Sequence, residues 1–297
     1  MLSLDPKDLK TSLLHQYLLH AIAPRPIAFA STIDKDGNPN LSPFSFFNVF
    51  SANPPVVIFS PARSGRTGAT KNTHDNIREV PEVVINIVNY DLVQQASLTS
   101  TEYPKGVNEF VKAGLTQEPS VKIRPFRVKE SPVQLECLVK DVVELGQHGG
   151  AGNLIIAEIV MMHIKEEILD PETKMIDQQK IDLVARMGAD WYCRASGNAL
   201  FKVAKPLTTI GIGVDQLPAA IRNSKVLTGT HLGQLGNIEK LPTPEEVEKY
   251  KASGAILEAW QDYGNDAEKL ETHLHQIAAR LLGEGRVEEA WKVLLIK

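Results

Sequence analysis

The strongest constraint on this chain is a series of short runs rich in β-branched residues between Arg25 and about residue 168. They are Ile27–Ile33, Val56–Ser60, Val83–Val88, Val133–Leu145 and Leu154–Ile164. Turn-forming clusters separate them, for example Asp34-Lys35-Asp36-Gly37-Asn38-Pro39-Asn40. Asp36-Gly37 between two apolar runs predicts a hairpin, because glycine supplies the positive φ that such turns need. The runs do not alternate with amphipathic helices, so an antiparallel barrel is expected rather than a doubly wound parallel sheet.

The flanks have a different texture. Leu9, Leu13, Tyr17 and His20 recur at helical spacing within Pro6–Ala21, and Ala23-Pro24 ends that segment. Thr243-Pro244-Glu245-Glu246 has the form of a capping box with proline at the first helical position. Asn265-Asp266-Ala267-Glu268 repeats the logic. It precedes a stripe of Ala267, Leu270, Leu274, Ile277, Ala278 and Leu281, with Gly283 as the stop. Val287–Ile296 reads as a last short helix. The expected organisation is an N-terminal helical segment (1–22), a β domain (23–197) and a loop-rich, helical C-terminal extension (198–297) joined through the glycine-rich stretch Gly211–Gly236. The fold class is thus mainly β with helical ends.

Composition narrows the function. Across 297 residues, 32 basic and 36 acidic side chains leave a net charge of −4. That balance does not suit a general nucleic-acid binder. Two cysteines, Cys137 and Cys193, cannot form a disulfide framework and fit a reducing compartment. Charged residues interrupt Met1–Leu19, leaving no apolar core for a signal peptide, and no run is long enough to span a membrane. A cytoplasmic location is expected by elimination.

Chemistry concentrates in Asn40–Thr73. Ser42-Pro43-Phe44-Ser45-Phe46-Phe47-Asn48 sets hydroxyl and amide groups among aromatic rings, and the stretch from Phe44 to Phe50 holds four of the eighteen aromatic residues: Phe44, Phe46, Phe47 and Phe50. After the strand ending at Ser60-Pro61 come Arg63, Arg66, Lys71, Asn72 and Thr73, just before a helix expected at His74–Glu79. Cations and hydroxyls ahead of a helix suit an anion, because free N–H groups and the dipole add to the side chains. A phosphate-bearing planar cofactor fits this stretch better than bare phosphate. The same residues also read as a solvated basic loop beside a buried aromatic strand.

The order and spacing of Pro24-Arg25-Pro26-Ile27-Ala28, Gly37-x-x-Asn40, Ser42-Pro43-Phe44-Ser45, Pro54-Pro55, Lys71-Asn72-Thr73-x-x-Asn76-Ile77 and Val84-Ile85-Asn86 resemble the flavin reductase-like family of FMN-binding split-barrel proteins over about residues 20–195. The resemblance implies a homodimeric split β-barrel with FMN at the subunit interface. It implies that Ser42, Ser45 and Phe46, with Asn48, contact the isoalloxazine and ribityl groups. By the same resemblance, Ser60, Arg66, Lys71, Asn72 and Thr73 hold the 5′-phosphate. Arg186-Met187-Gly188-x-x-x-Tyr192 resembles the motif closing the domain and brings Arg186 and Tyr192 towards the flavin, although a structural role for Tyr192 is an equal alternative. Many relatives have Asp where Asn72 stands, and the amide keeps an acceptor while removing a charge.

One departure bears on activity. Relatives often carry Asp-His, associated with nicotinamide binding, where this chain has Gly152-Asn153; His148, on the preceding glycine-rich loop, is expected to face solvent. The expected function is therefore an FMN-dependent oxidoreductase passing electrons from a reduced donor, with NAD(P)H as one donor, through FMN to an acceptor. The alternatives are an FMN carrier without its own NAD(P)H reaction and a flavin-free dimeric scaffold. No catalytic acid, base or nucleophile is assigned, and no metal site. Gly211-Ile212-Gly213 lacks a dinucleotide fingerprint. His273 and His275 are expected as exposed helix histidines, His231 as part of a loop, and Trp191 and Trp260 as packing anchors.

Overall fold

The computed structural model describes residues 1–252 and 254–296. It divides into two compact units, Met1–Phe201 and Lys202–Lys297. In the first, α1 (Thr11–Ala21) precedes four strands: β1 (Ala28–Ile33), β2 (Pro39–Phe44), β3 (Phe47–Ala52) and β4 (Pro55–Phe59). Helix α2 (Asn72–Glu79) and β5 (Glu82–Ile87) follow, then α3 (Val93–Leu98), α4 (Glu109–Ala113) and the short pair β6 (Gln117–Glu118) and β7 (Arg127–Val128). Two long strands, β8 (Val133–Glu144) and β9 (Asn153–Ile164), and a small hairpin of β10 (Val184–Arg186) and β11 (Tyr192–Arg194) complete it.

Seven strands form one sheet in the order β2-β1-β5-β8-β9-β4-β3, every pairing antiparallel. The predicted β-branched runs supply its centre. Along β1 the side chains alternate between two cores, Ala28 and Ala30 joining Val57, Phe59 and Ile85 on one face. Phe29 joins Leu41, Leu92 and Phe110 on the other. A strand covered on both faces reads as a continuous apolar run, which is why Ile27–Ile33 shows no polar alternation. The predicted hairpin closes through Asp34, whose Oδ1 accepts from the N–H groups of Asp36 and Asn38, with Gly37 at φ +86°.

Buried polar groups tie the loops to the sheet. Asn86 donates from Nδ2 to Phe29 O and accepts at Oδ1 from Val128 N–H. Glu136, fully buried in β8, accepts from the N–H groups of Val121 and Lys122 at 2.8 and 2.6 Å and from His163 Nε2 at 2.7 Å.

The second unit is helical: α5 (Ala219–Arg222), α6 (Gly229–Gly236), α7 (Pro244–Lys251), α8 (Gly254–Tyr263), α9 (Ala267–Gly283) and α10 (Val287–Leu294). Its core centres on Trp291, fully buried, whose Nε1 donates to Leu235 O. The capping box forms as expected, Thr243 Oγ1 accepting from Glu246 N–H and Glu246 from Thr243 N–H. No helix among the described residues is long and apolar enough to cross a membrane.

Several local expectations are corrected. Gly211–Gly236 is not a connector: Leu217, Ile221, Leu227 and Leu235 belong to the second core. His231 is not in a loop but in the first turn of α6, where its Nδ1 accepts from Thr228 N–H. His275 is buried rather than exposed, because the stripe on α9 is wide enough to include it and Ser224 Oγ meets its Nδ1 at 2.7 Å. Trp191 is 74% exposed at the β10–β11 turn and anchors no core. The aromatic run is not one strand, since a bend at Ser45-Phe46 divides β2 from β3.

Candidate active site: a two-part cleft beside the first helix of the sheet

Two adjoining cavities of the first unit share Ser42, Lys71 and Ser100. The first, of 210 Å³, has walls of hydroxyl and amide side chains: Asn40, Ser42, Ser64, Thr67, Thr70, Asn72, Thr73 and Thr99–Thr101, with Lys71, Glu102, Tyr103 and Glu109. The second, of 290 Å³, is lined by Pro43, Phe44, Ser45, Phe46, Ser60 and Ala62 with His15, Leu19, Arg25 and Arg186. One is a polar end and the other an aromatic, cationic end of a single cleft.

The polar end is built on the start of α2. Lys71 is its N-cap, and no side chain caps the helix, so the N–H groups of Asn72 and Thr73 stay available, while that of His74 is taken by Lys71 O at 2.9 Å. Thr73 is 1% exposed; its Oγ1 accepts from Asn40 Nδ2 at 2.9 Å, which fixes the hydroxyl and leaves its own proton to donate. Lys71 Nζ pairs with Glu102 at 2.9 Å, and Arg66 pairs with the other oxygen of the same carboxylate at 2.6 Å. The hydrogen bond from Lys71, its charge and that of Arg66 hold the Glu102 carboxyl below the usual carboxylate range. At the floor, Glu109 accepts from Leu41 N–H; burial pushes its carboxyl up, against that donor.

The aromatic end is framed by the β2–β3 bend. Ser60 N–H donates to Phe46 O at 2.9 Å, which holds the two residues together. The Ser60 hydroxyl is buried and has no hydrogen-bond partner. Gly152 is the reason it fits: a Cβ there would stand 2.7 Å from Ser60 Oγ. Asn153 is fully buried, donates to Pro61 O at 2.8 Å, and so serves the strand junction instead of the cleft. His148 is exposed and lines neither cavity.

The fold thus brings together eight of the eleven residues singled out from sequence: Ser42, Ser45, Phe46, Ser60, Lys71, Asn72, Thr73 and Arg186. Arg66 lies outside the lining, its side chain 81% exposed, and reaches the cleft only through Glu102. Asn48 is exposed on β3 with its Oδ1 accepting from Val49 N–H. Tyr192 lines a separate 180 Å³ cavity, although its ring carries the Arg186 guanidinium at 4.7 Å. Sequence reasoning did not single out Arg25, Ser100, Glu102 or Glu109. Arg25 stands inside a quoted motif; Ser100 and Glu102 come from the segment between α3 and α4, and Glu109 from the start of α4, far along the chain and without a motif.

The family model for the Flavin reductase like domain matches residues 20–181. An uncharacterized protein of Aquifex aeolicus (strain VF5) is 37% identical over 199 residues, covering 66% of this chain and 97% of that protein. Among solved structures, nitrilotriacetate monooxygenase component B from Bacillus cereus is 29% identical with a TM-score of 0.64, covering 68% of this chain and 98% of that one. A protein of Shewanella frigidimarina NCIMB 400 described as having a split barrel domain is 28% identical with a TM-score of 0.56, over 67% and 95% of the two chains. The matched family region contains β1 to β9 and both walls of the cleft except Arg186, His15 and Leu19, and on this agreement of model, relatives and fold the chain belongs to the flavin reductase-like domain family.

Proposed function

We propose that the protein is an FMN-dependent oxidoreductase that takes electrons from a reduced donor and passes them to an acceptor. The observation that carries this reading is the two-part cleft, whose polar end suits a phosphate and whose aromatic end suits a flat ring. The residues present fit the cofactor: the buried Ser60 hydroxyl lacks a partner, and the opposite end offers an ammonium, an amide, hydroxyls and helix N–H groups. Lys71, Asn72 and Thr73 would hold the phosphate, while Ser42, Ser45, Ser60 and Phe46 would hold the ribityl chain and ring. When bound, FMN supplies the electron chemistry. The chain's own work is to orient the ring, shield one side with Phe44 and Phe46, and hold fixed charge near it.

The homodimer with FMN at its interface, and the cytoplasmic location, are parts of this proposal. Tyr17 on α1, Ile22 just after it, and Val49 and Phe50 on β3 leave apolar surface exposed, which supports a partner subunit. A second reading, an FMN carrier without its own NAD(P)H reaction, is favoured by one observation: the position where relatives often have histidine holds Asn153, turned into the strand junction.

Anaerobic stopped-flow mixing of the FMN-loaded protein with NADH or NADPH separates them. Bleaching of the oxidised flavin band supports the oxidoreductase with a pyridine nucleotide donor. Bound flavin that stays oxidised supports the carrier, and a protein that takes up no FMN removes both.

A further inference from the structure

The 290 Å³ cavity is lined by four basic side chains, His15, Arg25, Lys71 and Arg186, and by no Asp or Glu. Lys71 has its carboxylate in Glu102. The two arginines have none among the described residues. Arg25 is 6% exposed, and its guanidinium donates to the carbonyls of Leu19, Ile22 and Met187 at 2.6, 2.5 and 2.7 Å, with Nε 3.4 Å from Ser45 Oγ. Its donors are therefore spent on three main-chain carbonyls and the neutral Ser45 hydroxyl, while its charge stays uncompensated.

Arg186 is held beside it, since Arg25 and Arg186 pair through their backbones at 2.9 and 2.8 Å. Its guanidinium lies over the Tyr192 ring and has no hydrogen-bond acceptor among the described residues. Burial first, and the Arg186 charge second, push the Arg25 guanidinium below its ordinary range. Two like charges on a partly dry wall cost free energy that an entering anion would recover.

We propose that Arg25 and Arg186 form an anion subsite, distinct from the Lys71 end, that seats the carboxylate or phosphate of a flat-ring second substrate. Arg186, with its donors free, makes the contact; Arg25 adds a fixed positive field. His15 and Leu19, both on α1, also line this cavity and give the substrate ring its wall, which leaves Phe46 to the cofactor. The proposal rests on the flavin reading only in calling this anion a substrate.

The test titrates full-length, FMN-saturated protein by calorimetry with nicotinate, nicotinamide and nicotinamide mononucleotide. The first two share a ring and differ in charge. Nicotinate is expected to bind roughly tenfold more tightly than nicotinamide, as one charge-assisted contact warrants. The preference should fall to about twofold in Arg186→Gln and persist in Arg186→Lys and in Arg124→Gln, a control that removes a charge paired with Glu82 elsewhere. If phosphate is the group recognised, nicotinamide mononucleotide takes the place of nicotinate in that pattern. Equal binding of all three, or a preference unchanged in folded Arg186→Gln, overturns the proposal.

A second measurement needs no variant. Nicotinate or the mononucleotide should slow phenylglyoxal labelling of Arg186, read by mass spectrometry, whereas nicotinamide should not; labelling unaffected by any of the three overturns the subsite. A colourless protein that takes up no FMN yet keeps the anion preference would retain the subsite and remove the flavin reading.

Discussion

Glu102 pairs with Lys71 at 2.9 Å where the two halves of the cleft meet, and its other oxygen holds Arg66 at 2.6 Å. The cations that sequence assigns to a phosphate are thus engaged by a carboxylate of the protein itself. Lys71 is 37% exposed on its side chain and Glu102 52%, so the pair is worth little in stability. Its consequence is for binding, because a phosphate arriving at Lys71 has to displace or tolerate that carboxylate.

Replacing Glu102 by Gln should therefore tighten FMN binding about threefold at low ionic strength, the size expected for an exposed ion pair. The gain should fade as salt screens the site. Fluorescence titration of FMN at two salt concentrations checks this; a weaker complex in the variant would show that Glu102 supports the ligand instead of competing with it.

Gly152 and Ser60 form the other tight relationship of the cleft. Gly152→Ala places a methyl group 2.7 Å from the Ser60 hydroxyl, so either the hydroxyl turns away or β9 shifts at its start. The expected loss is about 1–2 kcal/mol of stability, with weaker FMN binding if the hydroxyl moves. Urea denaturation and FMN titration read the two effects separately, and an alanine variant unchanged in both would mean that the approach is relieved without cost.

Glu136 makes a pH prediction. Burial pushes its carboxyl up, but the N–H groups of Val121 and Lys122 and the imidazole of His163 outweigh that and hold it below the ordinary carboxylate range. A group depressed in the folded state contributes stability that is full above its unfolded value, about 4.3, and is lost as pH falls through the folded value. Glu136→Gln should cost about 2 kcal/mol at neutral pH, since one amide oxygen cannot replace a carboxylate facing several donors. Below about pH 4 the two stability curves should converge. A gap that stays constant down to pH 3 would contradict the assignment.

The sheet was readable from sequence because its central strands are buried on both faces, which leaves unbroken β-branched runs such as Val83–Val88. The hairpin at Asp36-Gly37 was readable because one positive-φ glycine specifies it. Short helices such as α3 and α4 were not, since each spans less than two turns and is stabilised by packing of Leu92, Ala96 and Phe110 on the sheet, not by its own periodicity. The site follows the same rule. Lys71-Asn72-Thr73 is contiguous and carries a local signal. Glu102 and the Arg25–Arg186 pair depend on contacts 31 or more residues apart, which no local pattern encodes. The burial of His275 is not legible in the sequence, because a histidine inside an apolar stripe looks the same whether Ser224 meets it or water does.

The central claim is that Lys71 and the start of α2 hold the phosphate of FMN, and it is tested most directly by titrating FMN, followed by flavin fluorescence, into the full-length protein and into Lys71→Met. Uptake of one FMN per chain, weakened roughly 10- to 100-fold in the variant while riboflavin binds both equally, is the predicted result. Failure of the unaltered protein to take up FMN, or equal affinity for FMN in both proteins, would contradict it.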